Sequence, residues 1–168
     1  MDHAQRFTVA NDILIREAMY LDEQRWSEWL DLFHPDCEYW VPSRRDDGAL
    51  IEDPKREVSL LYYSSRGGLE DRVTRITSGK APASAPVPRT VHLIGNVHFT
   101  DDQGSSDRIG AKSTWVVHLY DTKHCKSYEF FGRSEHTLVR SEGSWCIMKK
   151  RVVLMNDRLP TALDIYCL

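Results

Sequence analysis

The hydrophobic rhythm of the chain changes about halfway along. Over residues 6–21, Phe7, Ala10, Leu14, Ala18 and Leu21 recur at near-helical spacing and predict a first helix. In "DEQRWSEWLDLF", Trp26, Trp29, Leu30 and Phe33 fall at i, i+3, i+4 and i+7, the broad apolar stripe of a second helix. "HPDCEYWVP" breaks that helix and enters a short strand through Tyr39, Trp40 and Val41. Residues 43–57 are charged and carry Gly48 and Pro54, which predicts an exposed loop. "SSRGGLEDRVTRITSG" predicts a short helix, with Leu69, Val73 and Ile76 inward and Arg72 and Arg75 on its flank. Residues 78–89 are rich in proline and alanine, too stiff for a helix and too poor in donors for a sheet interior. They predict a long ordered arm.

After the arm the period becomes two. Strands are expected at about 91–99, 111–120, 127–140 and 145–155, separated by the turn signals "DDQGSSD", "DTKHC" and "SEG". Helices first and an antiparallel run afterwards argue for an α+β fold, with the helices on one face of a curved sheet. Residues 1–168 then form one domain: a helical part over about 6–76, strands over about 91–155, and a tail, 156–168. That tail, "NDRLPTALDIYCL", is apolar enough to dock rather than dangle.

Composition narrows the function classes. With 168 residues and 41% hydrophobic content, the chain can bury a good core. A net charge of -3 gives no electrostatic footprint for DNA or RNA. The run Lys149-Lys150-Arg151 sits in an alternating segment and reads as the outward face of a strand. No apolar run approaches the roughly 18 residues of a membrane helix, so no membrane partner is expected. "MDHAQRFTVAND" has acidic and polar residues where a secretion signal would be apolar, so a cytoplasmic location is expected. Cys37, Cys125, Cys146 and Cys167 lie far apart and read as reduced packing thiols.

The candidate chemistry centres on "PVPRTVHLIGNVHF", residues 86–99. Strand alternation puts His92, Asn96 and His98 on one face. His92 and His98 would stand roughly 20 Å apart along a strand, too far to share a metal ion. No paired C-x-H and C-x-x-H set exists for a Rieske cluster, and no H-x-x-x-H or H-E-x-x-H for iron or zinc. No metal site is therefore expected, and no nucleophile motif either. "SSRGG" resembles neither a nucleophile elbow nor a phosphate loop. Acid–base work remains: Asp22 could hold the His92 imidazole and let it abstract a proton. The simpler expectation for Asp22 is an N-cap of the Trp26 helix. For His92 and Asn96 it is a satisfied buried network, since unpaired polar groups in a core are costly.

Taken in order, "LDEQRWSEWL", "EYWVP", "RVTRITSG" and "PRTVHLIGNV", with "NDRLPTALDIY" at the end, resemble the small, or beta, subunit of bacterial aromatic-ring-hydroxylating dioxygenases. The likeness spans nearly the whole chain. It departs in the arm, where many relatives carry a tryptophan and "GKAPASAPVP" has none. The resemblance implies the cone-shaped fold of nuclear transport factor 2, scytalone dehydratase and ketosteroid isomerase. It also implies a partner, a large (alpha) subunit holding a 2Fe–2S Rieske cluster and mononuclear Fe(II). Electrons would come from a separate NADH-linked reductase, and three large plus three small chains would assemble. On that basis this chain would hold no cofactor. His92, Asn96, Arg89, Arg72 and Arg75 would form a polar network fixing the arm and a subunit contact, because arginine forks make directional bonds. The alternative is a free-standing dehydratase or isomerase of the same fold using Asp22 and His92.

Overall fold

The computed structural model describes residues 1–79, 85–100 and 107–168. Helix α1 (His3–Asp22) begins earlier than the apolar pattern suggests, because Asp2 and Gln5 form a reciprocal capping box. Its buried side is Arg6, Ala10, Ile13, Leu14, Glu17, Ala18 and Leu21. Phe7, expected inward, is exposed. Helix α2 (Trp26–Asp31) is short, and its N-cap is Arg25 rather than Asp22. Phe33, expected as the last turn of that helix, instead opens strand β1 (Phe33–Val41). A register irregularity between Phe33 and Glu38 absorbs the proline of "HPD".

Strand β2 (Leu61–Tyr63) was not signalled by the sequence pattern and pairs with the end of β1. Helix α3 (Arg66–Thr77) follows, burying Leu69, Val73 and Ile76 as expected. Part of the expected proline arm, residues 80–84, lies outside the described residues. Four long strands come next: β3 (Arg89–Thr100), β4 (Arg108–Asp121), β5 (Lys126–Ser141) and β6 (Ser144–Leu154). They match the four expected strands within three residues at either end. The "DDQGSSD" connection, residues 101–107, lies almost wholly outside the described residues.

The sheet order is β2-β1-β6-β5-β4-β3. β1 runs parallel to β6, and every other pairing is antiparallel. The core lies on one face, where α1 packs along β3 and where Trp29, Phe33, Tyr39, Val117, Phe130 and Leu138 meet. Ile165, Tyr166, Cys167 and Leu168 join that core, so the tail docks as its composition predicts. Asp164 begins its single 3-10 turn (Ile165–Cys167) by accepting from the Ile165 amide. The fold is α+β, with helices on one face of a mainly antiparallel sheet.

Alternation on β3 fails at one place. The register shifts between Gly95 and His98, and Asn96 takes φ 48, a left-handed conformation that asparagine tolerates better than most residues. His92 and Ile94 face the core, whereas Asn96 and His98 turn outward and Phe99 returns to the core. The three polar residues expected on one face are thus split between two.

Candidate functional site

Asp22 is the last residue of α1 and points at β3. Its Oδ1 accepts from Thr90 Oγ1 at 2.8 Å and from His92 Nδ1 at 2.6 Å, while Oδ2 accepts from the His92 amide at 2.9 Å. Burial pushes the Asp22 carboxyl up, but the hydrogen bonds from the His92 ring and amide, helped by the His92 charge and Thr90, hold it below its ordinary value. The expectation of a helix cap is therefore corrected. Asp22 staples the end of one helix to a strand, and the His92 side chain it holds is only 2% exposed.

A second polar cluster lies deeper. Glu17, on the same side of α1, receives Lys150 Nζ at 2.9 Å and pairs with His136 Nε2 at 3.1 Å. Lys150 Nζ also donates to a Leu168 main-chain oxygen at 3.3 Å and lies 5.1 Å from the Tyr39 ring centre. Burial raises the Glu17 carboxyl, but the charge of Lys150 and the bond and charge of His136 bring it down to about 2. Neither Lys150, expected to face outward, nor Glu17 or His136 was singled out from the sequence. The signals were there: Glu17 lies on the helix stripe between Leu14 and Ala18. His136 and Lys150 share the inward parity of Leu138 and Val152.

His92 from the first cluster and Glu17, His136 and Lys150 from the second line one small cavity together with Leu21, Ile94 and Trp115. The cavity measures about 10 Å³, room for roughly one water molecule. His92 Nε2, His136 Nδ1 and Trp115 Nε1 are buried with no hydrogen-bond partner among the described residues. The geometry thus supplies an oriented imidazole with a free ring nitrogen, as a general base requires. Among the described residues it supplies no chamber in which a six-membered ring could reach that nitrogen.

The other expected site residues lie apart. Arg72 makes a two-armed ion pair with Asp164, with Nε–Oδ1 at 2.8 Å, and so ties α3 to the tail. Arg75 borders a surface hollow with Tyr63 and Asp71. Arg89 is exposed at the start of β3, opposite Tyr120. Asn96 donates to Thr114 Oγ1 at 3.0 Å. His92 takes its partner from Asp22, not from Asn96 or an arginine. Among the described residues no group of three or more His, Cys, Asp or Glu side chains is placed to hold a metal ion.

A family model described as "Ring hydroxylating beta subunit" matches residues 16–161. The chain belongs to that family. It is 40% identical over 153 residues to the 2-halobenzoate 1,2-dioxygenase small subunit of Burkholderia cepacia, covering 91% of this chain and 90% of the relative. Among solved structures, the beta subunit of benzoate 1,2-dioxygenase from Burkholderia mallei superposes with a TM-score of 0.77 at 34% identity, covering 100% of this chain and 98% of that one. A naphthalene 1,2-dioxygenase chain superposes with a TM-score of 0.81 at 19% identity, covering 100% and 88%, and speaks to fold alone. These likenesses place this ring-hydroxylating beta subunit in the cone-shaped α+β class expected from its sequence.

Proposed function

We propose that this chain is the non-catalytic small subunit of a multicomponent aromatic-ring dioxygenase and supports assembly of a large subunit that does the chemistry. The observation that carries this reading is the tight interior: the imidazoles of both buried carboxylate–histidine pairs, Asp22–His92 and Glu17–His136, face a cavity with space for about one water. The large subunit would hold the Rieske cluster and mononuclear iron and take electrons from an NADH-linked reductase in the cytoplasm. Three large and three small chains are the proposed assembly. The 2-halobenzoate and benzoate named for two relatives make benzoate-type aromatic acids the proposed substrate class of the complex.

The alternative, a free-standing dehydratase or isomerase, has the 2.6 Å Asp22–His92 bond in its favour and the size of the cavity against it. Assays of NADH- and oxygen-dependent benzoate turnover distinguish the two. The reading expects turnover from the co-expressed large and small chains with reductase, and none from this chain alone. Turnover of any small substrate by the isolated chain, abolished in His92→Ala, would overturn it.

A further inference from the structure

The His92 imidazole and its surroundings make up most of a proton-abstraction site. Asp22 takes the ring Nδ1 at 2.6 Å and the residue 92 amide at 2.9 Å, so the histidine is held by side chain and backbone at once. With Nδ1 donating to a carboxylate, the free lone pair of the neutral ring lies on Nε2, which has no partner among the described residues. Leu14, Leu21 and Ile94 give the cavity apolar walls. What the site lacks is room, since the cavity measures about 10 Å³.

One side chain takes up that room. Trp115 lines the cavity and is 4% exposed. On β4 it stands two residues from Val117, the cross-strand partner of His92, and is therefore a diagonal neighbour of that histidine. Its own partners across the sheet are Ile94 on β3 and Gly132 on β5. Gly132 is where the indole lies: a Cβ added there would come within 2.9 Å of Trp115 Cζ2 and 2.2 Å of the Val153 carbonyl oxygen. A glycine opposite a tryptophan on the inward face leaves a ring-sized space, and the protein's own indole fills it. Buried tryptophans usually hydrogen-bond through Nε1. Trp115 Nε1 has no partner among the described residues, so this ring serves by its volume.

From this we infer that Asp22–His92 is a complete general-base site held shut by Trp115, whose substrate class is a flat, fused-ring carbon acid the size of an indole. The inference goes beyond the small-subunit reading: in the parent chain the indole occupies the substrate's place, and the pair stays structural. In the opened chain His92 is the catalytic residue and Asp22 its positioning residue.

The test uses the full chain carrying Trp115→Ala or, should that not fold, Trp115→Val. The probe is 5-nitrobenzisoxazole, a fused bicycle like the indole removed. His92 Nε2 takes the proton of the probe's C–H bond, the electrons of that bond form a nitrile as the ring N–O bond breaks, and a coloured cyano-nitrophenolate leaves. The imidazolium then returns its proton to water. Indole should raise the melting temperature of the opened chain by about 3 °C and leave the parent unchanged, because an apolar cavity of roughly 150 Å³ takes up a single ring. The opened chain should eliminate the probe at least about 100-fold faster than the same chain with His92→Ala, and indole should inhibit it. Adding Asp22→Asn should slow the reaction and move the midpoint of its pH profile downward, since the imidazolium loses the anion beside it. Glu17, His136 and Lys150, the other titratable groups lining the cavity, are the same in both chains. An opened chain that binds indole yet eliminates no faster than its His92→Ala version overturns the base. A folded variant that takes up no indole, or failure of both variants to fold with indole present, makes Trp115 ordinary core packing and overturns the plug. Elimination by the parent itself, lost in His92→Ala, overturns the plug and the non-catalytic reading together.

Discussion

At the scale of single residues, His92 and Asp22 separate a structural pair from a catalytic one. Replacing His92 with alanine removes the 2.6 Å ring bond but leaves Asp22 its bonds from Thr90 and from the residue 92 amide. A buried hydrogen bond broken on one side typically costs about 1–3 kcal/mol. Asp22→Asn should cost at least as much, because one acceptor oxygen becomes an amide nitrogen facing donors on β3. Assembled complexes of both variants should keep most of their turnover per iron, since the proposed function puts the chemical step in the other chain. A general base removed from its reaction would give the opposite pattern: normal melting and assembly, with turnover down roughly a hundredfold or more. Thermal melts, subunit ratio and turnover per iron measured on the same preparations check this. A stable, fully assembled and inactive His92→Ala complex would refute the structural role.

At the scale of elements, Glu17 ties α1 to β5, β6 and the tail through His136, Lys150 and Leu168. Its carboxyl titrates near pH 4 in the unfolded chain and at about 2 in the folded one. Between those values the unfolded chain binds more protons. The contribution of Glu17 is therefore complete only above the unfolded-chain value, from about pH 5 upward, and is lost as pH falls toward 2. Asp22, shifted in the same direction, adds to that slope. Glu17→Gln should flatten the acid limb of a urea-midpoint-against-pH curve. At neutral pH it should also destabilise the protein by about 3–5 kcal/mol, because Lys150 stays buried without its counter-charge. The double variant Glu17→Gln, Lys150→Met should recover part of that loss; no recovery would mean that Lys150 does not depend on Glu17.

The same elements mark what the sequence pattern made legible. Period-two alternation located β4, β5 and β6, because each has one face in the core and one outside. Alternation along β3 misplaced Asn96 and His98, because a bulge reverses the faces of a strand and leaves no mark in hydrophobicity. The stripe ending in Phe33 fitted a helix and a strand equally well, and parallel pairing with β6, a tertiary effect, decided for the strand. The Asp22–His92 pair was visible as a possibility, since both residue types suit acid–base work. Nothing local distinguished a helix cap from a cross-element staple. Lys150 was hidden by its charged neighbours, although strict alternation forces it inward between Lys149 and Arg151.

At the scale of the whole molecule, the inner face of the sheet is filled and the outer face is not. Leu93, Val91 and Phe131 stay exposed on the sheet face turned away from the helices, and Val58 and Leu60 protrude near the short β2. Surfaces of this kind are characteristic of chains that work in assemblies, and homo-oligomers close by rotational symmetry. Light scattering should therefore find a trimer of the isolated chain or a hexamer with three large subunits, and the complex should melt higher than either chain alone because association stabilises the folded state. Elemental analysis of the same fractions should assign the iron to those containing the large subunit, with no stoichiometric iron in the isolated chain. A stable monomer that persists through co-expression with the large subunit would contradict the assembly, and about one iron per isolated chain would contradict the division of labour. The two measurements fail independently, since oligomeric state depends on contacts between chains and metal content on side chains converging within one.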